Sequence, residues 1–561
     1  MLVASLFPLV FRNQINLPYH TYFVFFVLLS FCLGTLLLLS ERAESKSPKK
    51  ESKCSSWYKI GIFGVTIFFF ALTLGIPFFY SGSYIDEYFH IYSGIELFQS
   101  GHPAPIYDGS FYTRGIYVSW LVGLFLSVFG ESLLVAKMVP AVLGCVSFVL
   151  LFLLARIVLS KKILIPALLF VFAINPYLIF EHFYIRFYVF TEVLLLAVLF
   201  LGCQILLSLR SSDFKRLLAS VLGFATINII AFLWAKGMSG LPVLLASAII
   251  MSYIFLFESK NITLPGKNLC ARIGNRFLQD GFYARAVILS LAFCAGLFLF
   301  QSRIFFLLHG EITYSSAPNG KYDDLFFGIF PVLTVLFLLS FQKLFQADSK
   351  ESSCAKMMII TAFFLFFVHL CSSESLQIYR AIIYLLPLFL LVCFVGIETI
   401  FSKSIHIFVA VFLCIGTTVF SYPSLFLQKP GIPHEQGYVE YKKAYDFVKS
   451  ECAGKTIIET ALIPYASHFH GVTPDYAFIT EEWRLQTEGI FVKTDNGYKT
   501  NFKNVPVLMS PEEVNRIAKS EFCYIQRTPM LNRLVDLDMA ESLIQNARQK
   551  KEFALMWVFV K

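Results

Sequence analysis

Apolar runs of roughly 17–25 residues, the length that carries a helix across a bilayer's hydrocarbon core, recur through the first three quarters of the chain. They lie near 22–39, 60–80, 133–158, 163–180, 187–209, 217–235, 239–257, 285–301, 326–345, 357–372, 381–401 and 405–426. This pattern predicts twelve membrane-spanning helices. A further apolar stretch at 116–129 is short for a crossing, and it reads as a helix lying at the membrane surface, with a thirteenth span as the alternative.

After residue 427 the pattern changes. Residues 438–452 have helical periodicity, and 455–459, 475–479, 505–508, 522–526 and 553–560 read as strands. Ser510-Pro511-Glu512-Glu513 has the form of a capping box with proline at the first helical position, which opens a helix to about residue 519. Residues 538–550 read as another helix. Alternation of this kind predicts a small α/β domain over 428–561, following a membrane module over 1–427.

Composition sharpens the division. The whole chain is 57% hydrophobic and 15% charged, with a mean hydropathy of +0.68. Residues 429–561 hold 17 Lys+Arg and 17 Asp+Glu, so the net charge of +9 lies entirely in the membrane part. There the basic residues cluster in short loops between apolar runs. That placement is what the positive-inside rule expects, and it argues against a nucleic-acid partner. If the loop at 41–59 is cytoplasmic, 21 of the 29 basic residues of the membrane part fall on the cytoplasmic side of a twelve-span chain. Letting 116–129 cross would reverse that bias. Both termini and the C-terminal domain are therefore expected outside. The first apolar run lacks a small-residue cleavage site and reads as a retained anchor.

Twelve cysteines show no metal-binding spacing. Cys452 and Cys523, both in the C-terminal domain, could form a disulfide if that domain is extracytoplasmic.

Candidate chemistry concentrates in residues 81–115, SGSYIDEYFHIYSGIELFQSGHPAPIYDGSFYTRG, the first long outer loop. Asp86-Glu87 stands just beyond the membrane edge, where a carboxylate is costly unless used or paired. It can take a proton from an attacking hydroxyl, or simply favour a helix N-terminus. Arg114, Arg186, Lys236 and Arg380 stand at outer helix ends. Converging cations there would hold a lipid-linked phosphate; each alone can equally snorkel to the headgroups. His182 can bond a sugar hydroxyl or cap the turn between two spans.

Five segments, in this order, resemble the GT-C glycosyltransferases, in particular the branch with protein O-mannosyltransferases and the lipid A aminoarabinose transferase. They are YIDEYFHIYSGIELFQSG, YTRGIYVSWLVGLFLSVFGESLLVAKMVPAVLG, EHFYIRFYVFTEVLLL, FLWAKGMSGL and IYRAIIYLLPLFLL, spread over roughly residues 60–400. Two departures stand out: Lys137 occupies the place of the family's arginine, and Thr113-Arg114-Gly115 replaces its Pro-Pro.

The resemblance implies a GT-C fold of about 12–13 transmembrane helices. It also implies inverting transfer of a sugar from polyprenyl monophosphate to a hydroxyl of a protein, lipid or glycan acceptor. Asp86 then looks like the general base, and Glu87 orients it or binds the acceptor. Lys236 with Arg186 or Arg380, and Arg114 beside them, would hold the donor phosphate, while His182, His90 and Tyr188 are placed as substrate-binding residues. With one adjacent acidic pair, no catalytic metal is expected, a divalent ion being the alternative. The partners implied are the lipid-linked sugar, membrane lipids and the acceptor, in a prokaryotic plasma membrane. Competing readings are a secondary transporter, which would show related halves and midplane charges, a glycan polymerase or ligase using lipid-diphosphate donors, and a non-catalytic relative.

Overall fold

The computed structural model describes residues 54–79, 85–104, 115–211, 213–234, 240–258, 331–346, 350–370, 383–401 and 404–420, then most of 441–561. The expected spans at 22–39 and 285–301, and the domain boundary near 427, lie outside the described residues.

The membrane part is helical: α1 Cys54–Phe79, α2 Ile85–Gln99, α3 Ile116–Phe129, α4 Leu133–Val158, α5 Leu164–Ala173 and α6 Pro176–Glu181. Then come α7 Tyr188–Ser211, α8 Phe214–Trp234, α9 Leu241–Tyr253 with a π-turn Ile254–Glu258, and α10 Pro331–Leu339 with a 3₁₀ turn Ser340–Phe345. The last are α11 Lys350–Leu370, α12 Leu386–Ile400 and α13 Ser404–Phe420. Among the described residues, six helices are long and apolar enough to cross a membrane. Large apolar side chains such as Phe63, Phe78, Phe214, Phe408 and Phe412 are exposed. In water such a surface drives aggregation; in a bilayer, lipid chains cover it. The protein is an integral membrane protein.

Two stretches differ from the apolar pattern for local reasons. The run at 163–180 is not one helix. Asn175 accepts hydrogen bonds from the backbone N–H groups of Tyr177 and Leu178 at 3.1 and 3.3 Å, with Pro176 at the first helical position. This cap starts a new helix and so ends the old one. The stretch at 116–129 does form a helix, α3, but at ~1.5 Å per residue it reaches about 21 Å, short of a ~30 Å core.

α3 lies against α2 at near-contact of their backbones. A Cβ at Gly123 would stand 2.3 Å from the Gly94 carbonyl oxygen, and one at Gly94 would stand 2.4 Å from that of Ser119. Small residues permit this approach, and dispersion contacts between the two backbones replace those of side chains. His90 Nδ1 and Ser119 Oγ, 2.9 Å apart, add a buried hydrogen bond across the pair.

The C-terminal domain opens with α14 Tyr441–Glu451 and β1 Thr456–Glu459, followed by α15 Pro464–Phe469 and β2 Tyr476–Phe478. A hairpin of β3 Phe491–Thr494 and β4 Gly497–Thr500 precedes β5 Val507–Leu508, α16 Pro511–Ala518, β6 Phe522–Arg527, β7 Gln549–Phe553 and β8 Met556–Val560. The main sheet has the order β5-β2-β1-β6-β8-β7. Its first four strands are parallel, and the β7–β8 hairpin is antiparallel.

Alternation along β6 sends Phe522 and Tyr524 to one core and Cys523 and Ile525 to the other. The second core is covered by α14 and is continuous with the membrane helices. Cys523 is disulfide-bonded to Cys452 at the end of α14.

The helical reading of 538–550 fails at its end, because Gln549 and Lys550 belong to β7. β8 would otherwise be an open, apolar edge, and β7 covers it. Lys550 Nζ sits 3.9 Å from the centre of the Trp557 ring, a contact only the strand provides. The β3–β4 hairpin was not foreseen, although Asp495-Asn496-Gly497 carries its turn chemistry.

In an ordinary exposed helix, glycine to alanine gains about 0.4–1 kcal/mol. At Gly123 the sign reverses. Gly123→Ala is expected to lower the thermal midpoint of the detergent-solubilised protein by several degrees. Gly64→Ala in α1, whose Cβ meets nothing within 4 Å, is expected to hold or raise it.

Candidate active site

The first turn of α2 carries Asp86 and Glu87. The Glu87 side chain is fully buried. Lys137, near the start of α4, donates to Glu87 Oε1 and Oε2 at 3.1 and 3.4 Å. The backbone N–H of Ile185, in the turn between α6 and α7, donates to Oε1 at 3.0 Å. Lys137 is itself buried, its Nζ 3.7 Å from the centre of the Phe183 ring. Three separate segments thus converge on one carboxylate. Such a pair is stable only as a pair, because removing one charge strands the other away from water.

The same turn places His182 and Arg186. His182 Nε2 lies 3.2 Å from Glu192 Oε1 of α7, and its ring packs edge-on against Phe69 and obliquely against Phe172. Gly144 makes room for that ring, since a Cβ there would come within 2.5 Å of His182 Cγ. His182 is buried at the C-cap of α6 and stands inside the helix packing. Arg186 donates from Nε to the Tyr184 hydroxyl at 3.2 Å and is 5% exposed. Tyr188 is half-buried beside Phe187. His90 faces α3 through Ser119. The side chain of Asp86, and Arg114, Lys236 and Arg380, lie outside the described residues.

Sequence reasoning missed two features. The first is the carboxylate of Glu192, buried within an apolar helix; a charge in TEVLLL was itself the signal. The second is a contact between α2 and the C-terminal domain. The Tyr88 hydroxyl lies 2.8 Å from His470 Nε2, and Tyr92, one turn on, faces His468 at 5.7 Å between ring centres. Behind His470, the Tyr445 hydroxyl donates to Glu459 at 2.5 Å. No local motif reports a contact made across 382 residues.

Burial sets the charge of both ends of this chain of groups. It lowers the pKa of His470 from 6.5 to about 4, with Lys449 and Lys442 acting in the same direction and Asp446 opposing them. It raises that of Glu459 from 4.5 to about 7, against hydrogen bonds from Tyr445 and Ser467. Among the described residues, no group of three His, Cys, Asp or Glu side chains is placed to hold a metal ion.

The bundle of membrane helices with its C-terminal α/β sheet domain has the GT-C membrane fold of its structural neighbours. The crystal structure of ArnT from Cupriavidus metallidurans bound to undecaprenyl phosphate shares it, with a TM-score of 0.51 at 12% identity, over 90% of this chain and 98% of that one. The apo state of the same protein gives 0.49 at 10% identity, over 91% and 98%. The Archaeoglobus fulgidus oligosaccharyltransferase in complex with Zn and sulfate gives 0.44 at 12%, over 86% and 70%. No protein-family model and no curated protein matches the sequence.

Two outcomes test this geometry. Lys137→Met is expected to destabilise the protein by about 3–5 kcal/mol, through the stranded Glu87 carboxylate. Adding Glu87→Gln should recover part of that loss, read as the thermal midpoint of single and double variants.

The second outcome concerns pH. His470 binds its proton less readily folded than unfolded, so its contribution to stability is lost as pH falls from about 6.5 to 4. Glu459 binds its proton more readily folded, so its contribution is lost as pH rises from about 4.5 to 7. Across the shared window the two oppose. Relative to wild type, His470→Phe should make the midpoint fall more steeply with rising pH, and Glu459→Gln should make it rise. Slopes of the same sign in both variants would contradict the assignment.

Proposed function

We propose that the chain is a membrane glycosyltransferase that moves a sugar from a polyprenyl-phosphate donor to a hydroxyl acceptor on the extracytoplasmic face of a prokaryotic plasma membrane. The observation that carries this reading is the acidic pair in the first turn of α2, built into a GT-C fold. Glu87 is held there by Lys137 and the Ile185 N–H. The fold is that of ArnT, whose crystal form holds undecaprenyl phosphate.

Because Glu87 is buried and committed to its ion pair, it acts as the anchor of the turn, and the role of base falls to Asp86. The acceptor oxygen attacks the anomeric carbon from the face opposite the phosphate, and Asp86 takes its proton as the bond forms. The bond from the anomeric carbon to the phosphate oxygen breaks. Polyprenyl phosphate leaves with the electron pair, and the configuration inverts. Arg186, with Lys236, Arg380 and Arg114, would hold the phosphate as its charge grows. Tyr188, half-buried beside Phe187, would stack on the sugar. His90 and His182, each bonded to a buried partner, would support the site rather than touch the sugar. The reaction as written needs no metal ion.

Two observations support the outward orientation. The basic loops crowd the opposite side. The Cys452–Cys523 disulfide suits an oxidising compartment, and its domain touches α2 directly.

The test is transfer of radiolabelled sugar from polyprenyl phosphates to a membrane extract by the purified protein. Asp86→Asn is expected to lower the rate by about 10²–10⁴-fold. Unchanged transfer in that variant removes Asp86 as base. Transfer only from polyprenyl diphosphates corrects the donor, and solute uptake without transfer replaces the reading with a transporter.

A further inference from the structure

The first turn of a helix has backbone N–H groups without intrahelical partners and frays unless its side chains are held. In α2 that turn contains Asp86, and two anchors follow it at once. Glu87 is tied to Lys137 and Ile185 within the membrane part. Tyr88, fully buried, is tied to the C-terminal domain. Its hydroxyl reaches His470 Nε2 at 2.8 Å. Its ring meets Tyr441 edge-on at 5.1 Å and Phe469 at 5.9 Å between centres. The His470 ring lies nearly parallel to Tyr445 at 5.7 Å, and Tyr445 is fixed in turn by Glu459.

We propose that His470 is a positioning residue for the transfer reaction: through Tyr88 it fixes the turn that presents Asp86, which makes the C-terminal domain part of the catalytic apparatus. This rests on the reading of Asp86 as base. An imidazole with its proton on Nδ1 accepts the Tyr88 O–H at Nε2. Made in that sense the bond needs a neutral histidine, and made in either sense it needs a docked domain. Other aromatic contacts seat the domain, and this bond adds a directional tie from the domain to the turn that the Glu87 contacts hold from the membrane side. Catalysis is sensitive at that scale, since a misplacement of about 1 Å can cost ~10²-fold in rate.

The experiment uses the full-length purified protein. His470→Phe keeps a ring in place and removes the acceptor, His470→Gln keeps an acceptor, and Tyr88→Phe removes the donor. His470→Phe and Tyr88→Phe are each expected to lower kcat at least tenfold, with the donor KM within about twofold of wild type. The double variant should be no slower than either single one, and His470→Gln should recover most of the rate.

Hydrogen exchange at the α2 amides, compared at equal thermal midpoint, should quicken in both phenylalanine variants. Wild-type kcat in His470→Phe overturns the proposal, as does equal loss in His470→Gln and His470→Phe, or unchanged exchange in α2. If wild type transfers no sugar, or Asp86→Asn transfers as wild type does, it is the reading of the reaction that fails. Exchange at α2 then still decides whether His470 holds the turn.

Discussion

A lysine and a glutamate, both out of reach of water, hold the membrane part of this protein together at the point where its chemistry is expected. The ion pair of Lys137 with Glu87 joins α4 to the start of α2 and, through the Ile185 N–H, recruits the turn before α7. In an apolar setting neither charge is tolerable alone, so the three segments are obliged to meet. The close packing around them follows. Phe183 covers the ammonium group, and the same turn carries His182 into the aromatic pocket opened by Gly144. The acidic turn thereby has one member, Glu87, whose place is fixed by charge, and under the proposed reaction Asp86 beside it is the member that acts.

Around this centre, packing is achieved by small residues and hydrogen bonds, since apolar burial gives little drive between helices already in lipid. The Gly94–Gly123 approach lets α2 and α3 share a backbone contact that longer side chains would forbid. The C-terminal domain obeys different physics. It has an aqueous-type α/β core with alternating strand faces, and one of its two cores is continuous with that of the membrane helices.

Much of the helical part was legible because a membrane imposes one simple rule on sequence. The run read at 133–158 is α4 at both ends, and that at 187–209 differs from α7 by one or two residues. Failures occurred where polar residues override the apolar count. Asn175-Pro176 breaks a run that hydropathy alone joins. The last two residues of 538–550 belong to a strand because β8 needed a partner, a demand set by tertiary structure and invisible to local periodicity. Lys137 was legible only as a substitute for an arginine expected by resemblance. Its partner lies 50 residues away, and no pattern along the chain joins them. His470 was silent for the same reason.

The contact between Tyr88 and His470 spans 382 residues, and that distance has a meaning in time. A ribosome adding roughly 5–20 residues per second makes the second partner about 20–80 s after the first. Throughout that interval the acidic turn of the nascent chain can draw only on contacts within the membrane part, Lys137 and the Ile185 N–H among them. A chain cut short before the last quarter lacks the Tyr88–His470 bond, so the first turn of α2 is left with its contacts inside the membrane part.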